Sequence, residues 1–294
     1  MTNTPINSPN GSGKPPWYRQ RGKVISLIAV VLVAAGAIAL VAWNELKRPD
    51  DVSNPDVPFV KTKPKQVVPK DRTINWSTFR LNPQRTGYLP VNGIHPPFKR
   101  VWKYGDQPLL EFPPIVVDGR LYFVDNDGNA RALRADNGRE IWHRKIADLN
   151  ASTPTYARGR LYIVNLEPGH VLSMNAKNGR IIWEKPLPCR SESSPAVIRQ
   201  RVYFGCENGV LYALKARNGK EVWETSVDGA IKGAPAYEDG TLFVGDYGGV
   251  VSAVRAKTGE IKWQSDSLGG SFGRAGSFYS TPAVAYGRVY LGSN

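Results

Sequence analysis

Two cysteines and three histidines are the residues whose types most directly suggest chemistry in this 294-residue chain. Cys189 and Cys206 have no partners at CxxC spacing, and His95, His143 and His170 lie far apart, so no Cys/His metal site is expected. The sequence contains no Gly-x-Ser-x-Gly nucleophile motif, no P-loop and no dinucleotide fingerprint. We expect both His143 and His170 to face solvent. The sequence therefore offers no candidate catalytic residues and predicts a non-enzymatic protein.

The net charge of the chain bears on its partners. A formal charge of +14 favours contact with anionic surfaces. No recognised nucleic-acid-binding module accompanies this charge, so nucleic acid is not an expected partner.

The N-terminal part predicts a membrane anchor. Residues 24–43 form an apolar run of 20 residues, which as a helix spans roughly 30 Å, the thickness of the hydrocarbon core. Basic residues precede the run with no acid among them, which places residues 1–23 in the cytoplasm as a tail. The competing interpretation is a cleaved signal peptide, because Ala37-Ile38-Ala39 resembles a cleavage site; the apolar run is longer than usual for one. We expect an uncleaved signal anchor in the cell membrane, with a single pass.

Residues 44–72 alternate prolines with charged residues and predict an extended linker. The remainder, 73–294, is then the extracytoplasmic domain.

An internal repeat runs through this domain. Tryptophans recur at steps of 40, 41, 40 and 40 residues, at Trp102, Trp142, Trp183, Trp223 and Trp263. Prolines and glycines recur with matching steps, at Pro114, Pro154, Pro195, Pro235, Gly138, Gly179, Gly219 and Gly259. Such a period indicates a repeat architecture.

Each repeat predicts four short strands. Between 193 and 224 the segments SSPAVI, RVYFG, VLYALKA and KEVWE are separated by turns, including Asn218-Gly219. Four antiparallel strands per roughly 40 residues are typical of a β-propeller blade. The sequence therefore predicts an all-β propeller with four complete blades and a partial fifth. Because an open ring exposes strand edges, we expect the chain to be truncated, with Trp102 in the strand that completes the closing blade.

The segments ALRADNGREIW (132–142), SMNAKNGRIIW (173–183), ALKARNGKEVW (213–223) and AVRAKTGEIKW (253–263) resemble the tryptophan-docking motif of the pyrroloquinoline quinone (PQQ)-like repeat family. The matching structural positions are Ala132, Gly138, Trp142, Ser173, Gly179, Trp183, Ala213, Gly219, Trp223, Ala253, Gly259 and Trp263. Ser173 departs from the alanine of the other three repeats. The segment INWSTFRLNPQRTGY also resembles the start of such domains, and the resemblance implies seven or eight blades in an intact ring.

The resemblance implies one of two functional classes. The first is the PQQ-dependent dehydrogenases, which hold the quinone with calcium and share a vicinal Cys-Cys disulfide that this chain lacks. The second is non-enzymatic, like the propeller subunit of the outer-membrane β-barrel assembly machinery. We therefore expect a scaffold or binding module for envelope proteins or an anionic envelope polymer, without a cofactor. A PQQ-dependent, calcium-binding quinoprotein is the alternative. A sensor is not expected, because the short N-terminal tail leaves no room for a signalling module.

The two cysteines form the first candidate site. Cys189 lies before the first strand of a blade and Cys206 at the end of its second strand, so both fall on one face of the predicted propeller. An extracytoplasmic location permits a disulfide, and two buried, unbonded thiols are the alternative.

An inserted loop forms the second candidate site. Trp263 to Pro282 spans 19 residues, while Trp223 to Pro235 spans 12. The enlarged loop carries residue types enriched at interface hot spots, namely Phe272, Arg274, Phe278 and Tyr279. A binding loop and a flexible surface insertion both remain open.

Overall fold

A computed structural model describes residues 16–46, 74–89, 96–105, 109–267 and 276–293. The chain divides into two compact units, Met1–Asn54 and Pro55–Asn294. The described residues of the first unit form helix α1 (Pro16–Leu46), which includes the predicted anchor segment 24–43. Within the described residues, no helix combines the length and apolarity needed to cross a membrane. The membrane anchor remains a prediction, and most of the predicted tail and linker, 1–15 and 47–72, lies outside the described residues.

The second unit is built of antiparallel sheets, which we number as blades in chain order. Blade 1 comprises β1 (Ile115–Val117), β2 (Arg120–Val124), β3 (Asn129–Arg134) and β4 (Glu140–Lys145). Blade 2 comprises β5 (Thr155–Ala157), β6 (Arg160–Asn165), β7 (His170–Asn175) and β8 (Ile181–Pro186).

The later blades repeat this pattern. Blade 3 comprises β9 (Ala196–Ile198), β10 (Arg201–Gly205), β11 (Val210–Lys215) and β12 (Glu221–Ser226). Blade 4 comprises β13 (Ala236–Glu238), β14 (Thr241–Gly245), β15 (Val250–Arg255) and β16 (Ile261–Asp266). Blade 5 is described as two strands, β17 (Ala283–Ala285) and β18 (Arg288–Tyr290).

Each four-stranded blade has its strands in chain order, joined by hairpins. The first strands of successive blades lie beside one another and form the inner edge of the array. Every first hairpin turn begins with a residue of positive φ, at Asp118, Arg158, Arg199, Asp239 and Tyr286. This conformation matches tight two-residue hairpin turns. The predicted all-β architecture with four-stranded blades is confirmed.

Neighbouring blades are joined by the repeated tryptophans. Trp183 of blade 2 lies against Gly219 of blade 3, where an added Cβ would approach the indole Cε3 to 2.6 Å. The same indole donates a hydrogen bond to the Ala216 carbonyl at 3.0 Å. Equivalent pairs join the other blades, at Trp102–Gly138, Trp142–Gly179 and Trp223–Gly259. Trp102 makes this contact although it lies in no described strand.

Buried apolar side chains fill the spaces between successive blades, in three clusters centred on Ile163, Phe204 and Leu242. The fold is therefore held by blade-to-blade contacts as well as by strand pairing within each blade.

The segment 74–89 runs along the inner strands. Trp76 exchanges two backbone hydrogen bonds with Val116 of blade 1. Carbonyls of the same segment accept hydrogen bonds from inner-strand residues of blades 2, 4 and 5, at Ser77 from Tyr156, Pro83 from Tyr237 and Gln84 from Val284. The segment thus links four blades at the inner edge.

Arg85 completes this link to blade 3. Its fully buried guanidinium donates to the carbonyl oxygens of Pro195 and Pro235 at 3.1 and 3.0 Å, and to Thr78 Oγ1 and the Phe79 carbonyl, both at 2.7 Å. Burial lowers the pKa of Arg85 to about 9, and the nearby charge of Arg80 adds to this. The buried cation is therefore stabilised by neutral oxygen atoms.

Candidate functional site

One end of the propeller carries the turns between second and third strands together with the connections between blades; we call this end the connection face. Cys189 and Cys206 lie on it and form a disulfide with a Cα–Cα distance of 6.0 Å. Cys206 occupies the turn position that Asp125 and Asp246 hold in blades 1 and 4. Whereas those carboxylates bond to backbone amides of their own turns, the cysteine joins its turn to the connection from blade 2.

Beside the disulfide, five side chains from five different loops meet in what we call the Lys232 cluster. Lys232 Nζ lies 2.6 Å from Glu192 Oε1 and 3.1 Å from Glu207 Oε1. The ammonium group also lies 5.5 Å from the ring centroid of Tyr247 and 5.8 Å from that of Tyr279. Tyr279 donates a hydrogen bond to Glu192 Oε2 at 2.9 Å. Every charged group in the cluster therefore has an internal partner.

The protonation states in the cluster follow from these contacts. Burial alone would raise the pKa of Glu192, but hydrogen bonds from Lys232 and Tyr279 outweigh it and hold that pKa below its usual range. Burial would lower the pKa of Lys232, and the two carboxylates reverse this and raise it. Burial, followed by the bond to Glu192, raises the pKa of Tyr279 to about 12. At neutral pH Glu192 is therefore ionised, Lys232 is protonated and the phenol of Tyr279 is neutral.

The aromatic part of the cluster is open to solvent. The Tyr247 and Tyr279 side chains are 39% and 43% exposed, and their ring centroids are 6.1 Å apart. The cation beneath them fixes their position while leaving much of both rings accessible. The connection face therefore presents a pair of ordered tyrosines.

The four predicted binding-loop residues fall in different places. Tyr279 belongs to the exposed pair, but Phe278 is 5% exposed and packs beside Gly245, where an added Cβ would approach the Phe278 Cβ to 2.7 Å. The ring of Phe278 is therefore part of the core and does not form a contact surface. Phe272 and Arg274 lie outside the described residues.

The Lys232 cluster was not predicted, although a pattern in the repeats indicates it. Glu192, Lys232 and Tyr279 each stand three residues before the proline that opens a blade, at Pro195, Pro235 and Pro282. Likewise, Glu207 and Tyr247 hold the same turn position in blades 3 and 4. Aligning the repeats by position, and asking which polar residues become neighbours in adjacent blades, would have identified the cluster.

The prediction that both histidines face solvent is wrong for His170. The side chain of His143 is largely exposed, but His170 is 4% exposed. Its ring nitrogens lie 2.9 Å from Asn165 Nδ2 and 2.8 Å from the Pro168 carbonyl. These partners in the same hairpin satisfy the ring and allow its burial.

The family relationship follows from comparison with known proteins. The sequence profile of the family described as outer membrane protein assembly factor BamB matches residues 97–234 and 208–294, which together cover more than half of the chain. The chain belongs to this family of PQQ-like repeat β-propellers. No curated protein sequence matches the chain significantly.

Solved structures of PQQ-like repeat propellers share the fold. BamB from Moraxella catarrhalis aligns with a TM-score of 0.53 at 18% identity, over 62% of this chain and 55% of that one. A quinohemoprotein alcohol dehydrogenase from Pseudomonas putida aligns with a TM-score of 0.61 at 18% identity, over 74% of this chain and 44% of that one. The quinohemoprotein alcohol dehydrogenase from Comamonas testosteroni aligns with a TM-score of 0.63 at 16% identity, over 73% of this chain and 44% of that one. The chain thus spans about half the length of the structures it matches, and at these identities the similarity shows the fold alone.

The PQQ-like repeat family includes quinone–calcium enzymes, so the polar groups of the connection face can be compared with such a site. Its two cysteines are 17 residues apart and not vicinal, and both carboxylates of the Lys232 cluster are bonded to the lysine. Asp246 Oδ2 has no hydrogen-bond partner, but the residue is 1% exposed, and burial raises its pKa. In the described part of the chain, no three His, Cys, Asp or Glu side chains converge to hold a metal ion. These residues do not fit a quinone–calcium site.

Proposed function

We propose that this protein is a non-catalytic binding module whose connection face docks a partner protein of the cell envelope. The observation that carries the proposal is the Lys232 cluster. Both of its carboxylates are paired with Lys232, while its two tyrosine rings are partly exposed and held over the ammonium group. An ordered, partly exposed aromatic surface is the kind that carries binding energy at protein interfaces.

The chemistry of this face favours a protein over an anionic polymer. Lys232 is already paired with both Glu192 and Glu207, so the cluster offers no unpaired cation to a polyanion. Tyrosine rings contribute apolar contact area and hydroxyl groups, both of which suit a protein surface. The family description names an outer membrane assembly factor, which agrees with an envelope role.

We further propose that segment 24–43 anchors the chain in the cell membrane, with the propeller outside the cytoplasm. The apolar run and the basic residues before it support this orientation. The test is membrane fractionation with an alkaline wash, followed by protease treatment of spheroplasts. We expect the intact chain to stay in the membrane fraction and the propeller to be digested from outside. Release by the wash would contradict the anchor, and a shortened N-terminus would indicate a cleaved signal peptide.

Site-specific photocrosslinking tests the binding surface. A photoreactive phenylalanine analogue replaces Tyr247 or Tyr279 in cells. The matched control carries the same analogue at Asn137, an exposed turn residue of blade 1 at the opposite end of the strands. We expect one discrete adduct from both tyrosine positions and none from the control. Equal crosslinking at all three positions, or none at the tyrosines, would contradict docking on this face.

A PQQ-dependent dehydrogenase is the second candidate, and the structural similarity to two quinohemoprotein alcohol dehydrogenases favours it. That similarity concerns the fold alone. The chain has no adjacent cysteines, and among the described residues no group of ligands converges as such a site requires. The two candidates differ in one measurable property, tight binding of the quinone with calcium.

A further inference from the structure

A basic cleft lies at the end of the strands opposite the connection face. It opens between the hairpins of blades 2 and 3 and has a volume of about 780 Å³. Its lining includes six cationic residues, Arg158, Arg160, Arg199, Arg201, Lys215 and Arg217. No aspartate or glutamate lines the cleft, and within the described part of the chain none of these six forms an ion pair with a carboxylate.

Two of the six cationic residues, both arginines, hold neighbouring blades together. Arg160 donates to the Arg217 carbonyl at 3.0 Å, and Arg201 donates to the Lys257 carbonyl at 2.7 Å. Both side chains bridge to the third-to-fourth-strand turn of the next blade, and both residues are half-buried. These bonds hold the two guanidinium groups in place, and both groups add positive charge to the lining of the cleft.

The other four cationic residues are exposed and form the rim. Arg158 and Arg199 occupy the tips of the first hairpins of blades 2 and 3, and Lys215 and Arg217 belong to the turn that faces them. An arginine fork can bind a carboxylate through two parallel hydrogen bonds. The rim is therefore equipped for more than one carboxylate along the same groove.

The hairpin tips on either side of the cleft differ in charge from those that form its rim. The turn position of Arg158 and Arg199 is held by Asp118 in blade 1 and Asp239 in blade 4. A flat anionic bilayer would meet both acidic tips as well as the basic ones, which opposes its docking on this face. A narrow ligand that lies between blades 2 and 3 avoids them.

The lower lining of the cleft is apolar. Ala157, Val197 and Val222 contribute to it and are half-buried. Such a floor suits aliphatic side chains and offers nothing to a bare polyphosphate chain. We propose that the basic cleft binds an extended acidic peptide segment of a partner protein, with its carboxylates on the arginine rim and its apolar side chains on the floor. This site is separate from the connection face and does not depend on the function proposed for that face.

Fluorescence anisotropy tests the proposal with the full-length chain and a fluorescein-labelled peptide of alternating glutamate and valine, at about physiological ionic strength. The double variant Arg158→Asp/Arg199→Asp introduces the residue that blades 1 and 4 carry at this turn position, so the hairpins are expected to fold. We expect it to weaken binding at least roughly tenfold, through the loss of two charge-assisted contacts and added repulsion. Arg158→Asn/Arg199→Asn, which suits positive φ, removes the charge alone and is expected to weaken binding less.

The matched control is Arg139→Asp/Arg144→Asp, which changes the net charge equally at two exposed positions of blade 1 outside the cleft. We expect it to change binding less than about twofold. Equal weakening by both aspartate pairs would overturn the proposal in favour of general charge attraction. Binding of the glutamine–valine peptide with equal affinity would also overturn it. So would failure of the acidic peptide to bind while polyphosphate or phosphatidylglycerol vesicles do.

Discussion

Lys232 determines how the connection face is arranged. Its ammonium group lies between two carboxylates and under two tyrosine rings, so it fixes side chains that come from four other loops. The lysine side chain is only 21% exposed, and a partly desolvated pair is stronger than one in water. The exposed tyrosines are therefore ordered by a polar contact beneath them.

The low pKa of Glu192 predicts how this contact depends on pH. A carboxylate whose pKa is lowered in the folded state contributes stability above its unfolded value of about 4.3. That contribution is lost as the pH falls through the lower folded value. We expect Glu192→Gln to lower the free energy of unfolding by about 1–2 kcal/mol at pH 7, and by progressively less as the pH is lowered below about 4. Urea unfolding followed by tryptophan fluorescence measures this free energy at each pH.

Glu260→Gln is the control for that measurement, because Glu260 also forms an ion pair, with Arg255, but its side chain is 62% exposed. We expect its effect at pH 7 to stay within about 0.5 kcal/mol. If the two variants behaved alike, or if the effect of Glu192→Gln did not shrink in acid, the ion pair with Lys232 would not be what orders this face.

At the scale of the blades, the contact between Trp183 and Gly219 predicts that replacing Gly219 with alanine destabilises the fold more than the same replacement at a glycine without such a contact. Gly219→Ala puts a Cβ 2.6 Å from the indole at a φ of +69°. Gly159→Ala imposes similar backbone strain at a φ of +76° with nothing within 4 Å. We expect Gly159→Ala to cost about 1–2 kcal/mol and Gly219→Ala about 1–3 kcal/mol more. The difference in unfolding free energy isolates the docking contact, and equal costs would show that the tryptophan does not hold the blades.

The disulfide links two loops of blade 3 and gives a second prediction at this scale. It closes a loop with a sequence separation of 17, for which chain entropy suggests a stabilisation of about 3 kcal/mol. We expect Cys189→Ser to lower the thermal midpoint and expose one free thiol, and reduction of the unmodified chain to have a similar effect. A Cys189→Ser/Cys206→Ser variant should not respond to reductant. An unchanged midpoint and thiol count would contradict a stabilising bond.

The blades could be predicted from sequence because their determinants are local or periodic. Turn glycines and alternating apolar residues lie within one repeat, and the tryptophans recur at a fixed step. The role of Arg85 could not be predicted from the sequence, because its guanidinium group bonds to Pro195 and Pro235, which are 110 and 150 residues away. His170 was predicted wrongly because its burial depends on hairpin partners that sequence spacing does not reveal.

At the scale of the whole molecule, the second unit has two ends of different chemistry. The connection face presents two tyrosines over an ion-paired lysine, and the opposite end carries a basic cleft between blades 2 and 3. The repeat builds both, since equivalent positions of adjacent blades become neighbours while their residue types vary. The two proposed binding sites thus lie at the ends of the strands, while contacts between the blades maintain the fold.

The central claim is that the protein binds partners without catalysing a quinone-dependent reaction. The most direct test is a titration of the full-length chain with PQQ in the presence of calcium, followed by the fluorescence of its 8 tryptophans, with calcium alone as the control. We predict no saturable change beyond the control, because the cysteines are not vicinal and the acids of the Lys232 cluster are already paired. Tight, stoichiometric quenching by PQQ would contradict the claim and identify the protein as a quinoprotein.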